Sequence, residues 1–485
     1  MNAAEFFSNF KAILPLIVPI LSGIVLLLAS SWISPHRRWL APLWTALTLL
    51  VALVLLFWPA RGPVSAFGSM VFVDGFGIFL GALFLLNGLA SVALSVDYFR
   101  CSGECRSEYY ILMLLSVAGM MLMAVAVDLI VFFLALELLS LPLYTMAASA
   151  CRRTQSEEAA LKYFLMGAFA GGFVLYGTAL IFGATGTTNL SDILIVYQAG
   201  AANLPLLAIG AGLLLVGFGF KVAAVPFHMW TPDVYQGAPA AVTAFMSVGA
   251  KAAGFAALLR IFVYAFSSAL GSDLAPAMWV LAALTMLLGN LAAMAQGNIK
   301  RMLAYSSIAH AGYLLMPLVA IGVRGQLASA TVAILFYLLV YAISSLGAWA
   351  VVIAVEKEDG SGVAIDDFAG LRHRAPLLAA SMAVFMFSLI GMPPLLGFVG
   401  KFYLFGSVLG SGQPALALVG LVASLVSAVY YLRVVVVMFM REGAPEVNDA
   451  PLVKLTAAVM ALAALIMPIF ATPIFNWLWR LILNQ

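Results

Sequence analysis

Residues 385–405 read FMFSLIGMPPLLGFVGKFYLF, an apolar run broken by Pro393–Pro394 and carrying one lysine, Lys401, flanked by apolar residues. Proline removes a backbone donor and disturbs the turn before it. In lipid, a broken helix is tolerated only where it is buried in protein or lines a wet cavity. An ammonium group at mid-bilayer costs about 2.5–3.5 kcal/mol and usually marks an ion pathway. The combination recurs at residues 214–230, LLVGFGFKVAAVPFHMW, where Lys221 stands five residues before Pro226. The two sites share a local pattern, Gly217-Phe218-x-x-Lys221 and Gly397-Phe398-x-x-Lys401, 180 residues apart. Interrupted helices in corresponding halves point to inverted transporter repeats, and such repeats are expected to place the two lysines at equivalent positions.

The rest of the chain agrees. Of 485 residues, 65% are hydrophobic and 9% charged, where soluble domains carry roughly 25% charged residues. So little charge cannot cover a water-facing surface. Spanning structures are helices or closed barrels, and the long apolar runs lack the alternation of barrel strands. The expected fold is therefore an all-α polytopic membrane protein. Spans of about 20 apolar residues fall near 12–33, 39–59, 76–97, 109–127, 129–149, 160–182, 205–225, 240–267, 276–296, 302–321, 328–355, 376–408, 415–440 and 452–481. These fourteen helices group as a three-helix segment (1–108), a first five-helix repeat (109–268, helices 4–8), a second (269–441, helices 9–13) and helix 14 (442–485), with helices 7 and 12 broken. The first apolar run lacks a basic n-region and a small-residue cleavage site, so it reads as a retained span.

Loop charge sets the orientation. With the N-terminus outside, one face carries Arg37, Arg38, Arg100, Arg106, Arg152, Arg153, Lys300, Arg301, Lys357, Arg372, Arg374, Arg441 and Lys454, and the other only Lys11, Arg61, Arg324 and Arg480. Thirteen against four places both termini on the periplasmic side of a bacterial inner membrane, and the polar loop 356–376 in the cytoplasm.

Six cations remain within spans: Lys162, Lys221, Lys251, Arg260, Lys401 and Arg433. Glu137 joins them as an acid inside VFFLALELLSLPLY (131–144). Lys221, beside a break, is placed to gain and lose a proton in a small hydrated pocket. Lys251, in VTAFMSVGAKAAGFAALL (242–259), has Gly249 and Gly254 nearby to admit close packing or water. Glu137 has no cation close in sequence, and Lys221 is its natural partner from another helix. An acid nearby favours the charged form of a lysine, so a variable Glu137–Lys221 distance would make a proton switch. The bland reading of that pair is a fixed helix–helix ion bridge, and of Lys221 a lysine reaching for the interface. His228 and His310 are candidate relays, because histidine titrates near physiological pH, although a lone membrane histidine is often only hydrogen-bonded structure. Lys162 follows Glu157 and Glu158 near the start of its span, where an interfacial position and a part in proton transfer are equally open readings. Arg260 and Arg433, near span ends, are expected to snorkel.

Other chemistries find no residues. Net charge is +3 without a basic tract, which argues against nucleic acid. Cys101, Cys105 and Cys151 have no metal-ligand spacing, and no phosphate- or dinucleotide-binding motif is present. No cofactor is expected in this chain.

Residues 219–247, GFKVAAVPFHMWTPDVYQGAPAAVTAFMS, resemble the hallmark of the antiporter-like subunits of NADH–quinone oxidoreductase (respiratory complex I), in detail the subunit N branch. Further matches are LELLSLPLY (136–144), GNLAAMAQGNIKRMLAYSSIAHAGY (289–313) and IGMPPLLGFVGKFY (390–403), so the resemblance covers about 109–440. It implies fourteen helices with inverted repeats 4–8 and 9–13, and a row of buried ionisable groups. The family's proton-path acid falls on Glu137, its broken-helix lysine on Lys221, its connecting lysine on Lys251 and its exit-side lysine on Lys401, with His228 and His310 at motif positions. It further implies partnership with neighbouring antiporter-like and small membrane subunits, and FMN and iron–sulfur clusters held by other subunits. The alternatives are a subunit of a multisubunit Na⁺/H⁺ antiporter or membrane hydrogenase, and, from another class, a non-transporting membrane scaffold.

Overall fold

The computed structural model describes residues 3–32, 39–57, 63–101, 107–150, 153–266, 271–322, 326–357 and 359–483. Arg37, Arg38, Arg61, Arg106, Arg152, Arg324, Cys105 and Cys151 lie outside the described residues.

With no water to bond the backbone in hydrocarbon, each apolar run closes its own hydrogen bonds as a helix. The helices are α1 (Ala3–Ser30), α2 (Leu40–Leu56), α3 (Gly75–Cys101), α4 (Ser107–Val125), α5 (Leu129–Ala147), α6 (Thr154–Thr185), α7 (Leu190–Gln198), α8 (Leu204–Val222), α9 (Trp230–Gly237) and α10 (Ala240–Leu258). They continue with α11 (Gly271–Met294), α12 (Ile299–Leu315), α13 (Leu327–Val355), α14 (Leu371–Arg374), α15 (Pro376–Ile390), α16 (Leu396–Gly410), α17 (Pro414–Met440), α18 (Pro451–Ile466) and α19 (Ala471–Leu483). Among the described residues, twelve helical segments are long and apolar enough to cross a membrane. The shorter α2 and the pair α15/α16 supply two further crossings, giving the fourteen expected. The seventh crossing runs from α8 through a connector into α9, and the twelfth from α15 into α16, so both breaks stand where the sequence puts them.

Three small features escape the sequence reading. A hairpin pairs Val64–Ala66 with Val71–Val73. Helix α7 lies between the sixth and seventh crossings, and a 3₁₀ turn, Ile365–Phe368, precedes α14. Each is too short to carry an apolar period of its own.

The inverted repeat is visible in the backbone. Asp128, ahead of α5, bridges to Asn189, just after α6; Asn298, ahead of α12, bridges to Ala364, after α13. The bonds correspond: Leu129 N–H to Thr188 O and Leu190 N–H to Val127 O in one, Ile299 N–H to Val363 O and Ile365 N–H to Gly297 O in the other. Asp128 and Asn298 also cap their helices by accepting from N–H groups of the first turn. Five crossings separate the two bridges, so they lie at opposite ends of the bundle. At the arginine-rich end Arg153–Glu356 at 3.2 Å ties the two halves, while Lys300–Glu356 at 3.2 Å and Arg441–Asp366 at 2.5 Å brace the second half and Lys357–Glu446 at 3.1 Å ties it to the C-terminal segment.

Aligning the breaks themselves gives a different register from the shared GFxxK pattern. Ala223 and Gly391 end α8 and α15 with left-handed φ values of 62° and 91°, and each is followed by a cis proline bond, Val225–Pro226 and Pro393–Pro394. Lys221 therefore precedes its break, whereas Lys401 follows its own; the position matching Lys401 is Asp233. The two lysines are not equivalent, contrary to expectation. The pattern glycines differ too: a Cβ at Gly397 would strike the Ser388 backbone, while one at Gly217 would meet α6 at Val174.

The arginines also depart from expectation. Arg260 does not snorkel: it is fully buried and forks onto Asp74, with bonds of 2.7 and 2.5 Å to the carboxylate and a third of 3.1 Å to Ala124 O. The partner was hidden because it lies 186 residues away. Arg433 donates to the carbonyls of Met294 and Gln296 at the end of α11, satisfying carbonyls that a helix leaves open.

Candidate proton path

Helix α8 ends at Val222, one residue after Lys221, so the lysine hangs at the mouth of the first break, buried. Its ammonium donates to Ser140 Oγ at 2.8 Å and Tyr163 Oη at 3.3 Å. Tyr163 is held flat against Trp230 of α9 at 4.5 Å, and the Trp230 indole N–H bonds to Phe220 O at 3.0 Å. Glu137 stands one helical turn before Ser140 on α5, with Oε1 close to Gly171 of α6. It lies within electrostatic reach of Lys221, but no direct ion pair forms between them; the ammonium rests on the serine instead.

Lys251 is buried mid-way along α10 and donates to both the carbonyl and the hydroxyl of Ser307 on α12. Tyr341 of α13 donates to the same hydroxyl at 2.8 Å, and its ring lies 5.3 Å from the Lys251 ammonium. From Ser307 the polar row follows one face of α12. His310 Nδ1 meets Tyr337 Oη at 2.7 Å and its Nε2 meets Tyr431 Oη at 3.1 Å; Tyr431 also bonds Ser306. Tyr313, a turn further, accepts from Asn290 Nδ2 at 3.3 Å, and its ring lies 4.6 Å from the Lys401 ammonium. Lys401 donates to Leu389 O and Ile390 O, both at 2.9 Å, and to Ser424 Oγ at 2.7 Å. Hydroxyls and one imidazole thus occupy the stretch of α12 and its neighbours between Lys251 and Lys401. Between Lys221 and Lys251 the link is packing: a Cβ at Gly254 would meet Lys221 Cγ at 3.4 Å.

Two candidates stand apart from this row. His228 sits in the connector between α8 and α9, its Nδ1 buried without a hydrogen-bond partner. Lys162 is half-exposed at the arginine-rich end, paired with Glu158 at 2.7 Å and Asp233 at 2.9 Å. Asp233 also pairs with Arg301 at 2.7 Å, and these side chains line a cleft of about 160 Å³ with Gln155 and Gln236. Ser140, Tyr163, Ser307, Tyr337, Tyr341, Ser424 and Tyr431 were not singled out from sequence. The available signal was helical spacing: Ser140 lies three residues after Glu137, Ser307 three before His310, and Tyr337 four before Tyr341, each pair on one helix face. Among the described residues no group of three His, Cys, Asp or Glu could hold a metal ion.

Residues 126–427 match a family model described as NADH:quinone oxidoreductase/Mrp antiporter, TM. The chain is 45% identical to NADH-quinone oxidoreductase subunit N of Trichlorobacter lovleyi, over 98% of each chain. It is 45% identical to subunit N of Chloroflexus aggregans, over 96% of each. Among solved structures it resembles a chain of respiratory complex I from Thermus thermophilus with bound aureothin, at 37% identity and a TM-score of 0.81, covering 95% of this chain and 98% of that one. A chain of the Mrp complex from a Dietzia species superimposes with a TM-score of 0.85 over 99% of this chain and 97% of that one, at 24% identity, a likeness of fold.

Proposed function

As the chain belongs to the NADH:quinone oxidoreductase/Mrp antiporter membrane family, we propose that Glu137, Lys221, Lys251 and Lys401 carry protons through it, with His310 as the relay between the last two. The chain is a proton-translocating membrane subunit of NADH–quinone oxidoreductase. Electron transfer occurs in other subunits, which hold the FMN and iron–sulfur clusters. The observation that carries the reading is the hydroxyl–imidazole row along α12, with a buried lysine at each end and a broken helix beside the second. A scaffold needs buried charges paired; here three buried lysines have neutral oxygen partners, which suits groups that change charge.

In this mechanism a redox event elsewhere changes the Glu137–Lys221 separation. With the carboxylate close, Lys221 holds its proton; with the ammonium on Ser140 and Tyr163, the proton is free to leave towards Lys251. From there it passes through Ser307, Tyr341 and His310 to Lys401 and outward. Imidazole can take a proton on one nitrogen while releasing one from the other, and Tyr337 and Tyr431 stand at those two nitrogens.

Glu137 also indicates a neighbour. It lies in line with the exposed Ile130, Leu134 and Leu141 on α5. A carboxylate bordering lipid costs about 2.5–3.5 kcal/mol, so another membrane subunit of the complex covers this face. The inner-membrane setting, with both termini periplasmic, follows from the arginine-rich end.

The test begins with a native gel of gently solubilised membranes, probed for this chain and stained for NADH dehydrogenase activity; co-migration is expected. Lys221→Met is then expected to assemble normally and to lower NADH-driven pumping by about a hundredfold, the scale of a lost acid–base group. Normal pumping in an assembled Lys221→Met complex would refute the relay.

A further inference from the structure

The oxygens around Lys401 form a site in their own right. Helix α15 ends at Ile390, leaving its last carbonyls without intrahelical donors. Gly391 and Met392 N–H groups take the Phe387 and Ser388 carbonyls. The carbonyls of Leu389 and Ile390 remain, and both accept from Nζ at 2.9 Å. Ser424 of α17 gives its own hydroxyl proton to Ile390 O at 2.9 Å, which turns its lone pairs to Nζ at 2.7 Å. The Tyr313 ring closes a fourth side at 4.6 Å. Gly391, at φ +91°, leaves room for the lysine stem; a Cβ there would stand 2.9 Å from Lys401 Cδ.

We infer that this end of α15, with Ser424 and Tyr313, is a binding site for an ammonium-sized monovalent cation, of which the Lys401 ammonium is the tethered occupant. The negative end of the helix dipole favours a cation, the ring face adds to it, and helix ends inside a membrane are suited to small cations. No carboxylate touches Nζ, so the site lacks the charge that divalent ions require. An ammonium has three N–H donors for three oxygens. An uncharged amine has two, and would leave one oxygen facing its lone pair. The site therefore prefers a charged occupant, and a proton leaves Lys401 when the side chain withdraws. Only this last consequence rests on the proposed function; the site itself does not.

The test uses crystals of the whole complex carrying Lys401→Ala, soaked in thallium(I) acetate and examined by anomalous scattering. An anomalous peak among the Leu389, Ile390 and Ser424 oxygens is expected in Lys401→Ala, absent in the wild type and lost in Lys401→Ala/Ser424→Ala. Lys401→Cys serves should the alanine variant fail to assemble. No peak in the vacated site, or one unchanged by Ser424→Ala, would overturn the inference. A peak with undiminished pumping in Lys401→Ala would keep the site and count against the transport reading. Lost pumping without a peak would do the reverse.

Discussion

Lys221 and Lys401 each sit beside a proline break, yet their partners are of opposite kinds. Lys221 ends the half-helix before its break and rests on two side-chain hydroxyls, Ser140 and Tyr163. Lys401 belongs to the half-helix after its break and reaches back to two main-chain carbonyls and Ser424. A hydroxyl both accepts and donates, whereas a carbonyl only accepts. The first site can therefore hold its lysine in either protonation state; the second is built for the charged one. Arg260 is the contrasting buried cation: bidentate on Asp74, it has nothing left to exchange, and it locks the turn that follows α10 to the residue just ahead of α3.

The largest effect is expected where that lock is broken. Asp74→Asn strands a buried guanidinium, at a cost of about 3–5 kcal/mol, seen as loss of assembled complex on native gels; normal assembly would put Arg260 among the mobile charges. Next comes Ser140→Ala, which removes the nearer partner of Lys221. A hydrogen bond to a charged group is worth about 1.5–3 kcal/mol, so pumping per assembled complex should fall about tenfold or more, and Ser140→Thr should restore it. Ser424→Ala should cost less, about fivefold in pumping, because the two carbonyls stay; a greater loss there than at Ser140 would reverse the comparison. His228→Ala, which touches none of the lysines, should leave pumping within about twofold of wild type and stability within about 0.5 kcal/mol.

Much of this architecture was legible in the chain. Apolar runs bounded by charge mark the fourteen crossings, because lipid requires each run to satisfy its own backbone. Pro226 and Pro393–Pro394 mark the breaks, and an ionisable group in an apolar run announces itself by its cost, which is how Glu137, Lys221, Lys251 and Lys401 stand out. The route linking Lys251 to Lys401 does not announce itself. Serine and tyrosine are unremarkable in membrane helices, and the shared helix face of Tyr337 and Tyr341 does not by itself tell them from core or interfacial tyrosines.

The sequence by itself determined the solvent, the helices, the breaks and which groups are charged, since those follow from hydropathy and from the chemistry of single residues. Tertiary structure alone decided the pairings. Asp74 meets Arg260 across 186 positions and Tyr431 meets His310 across 121, while Lys221 lies against Ser140 rather than Glu137. A hydrogen bond is set by distances of about 3 Å, and those depend on how separate helices pack.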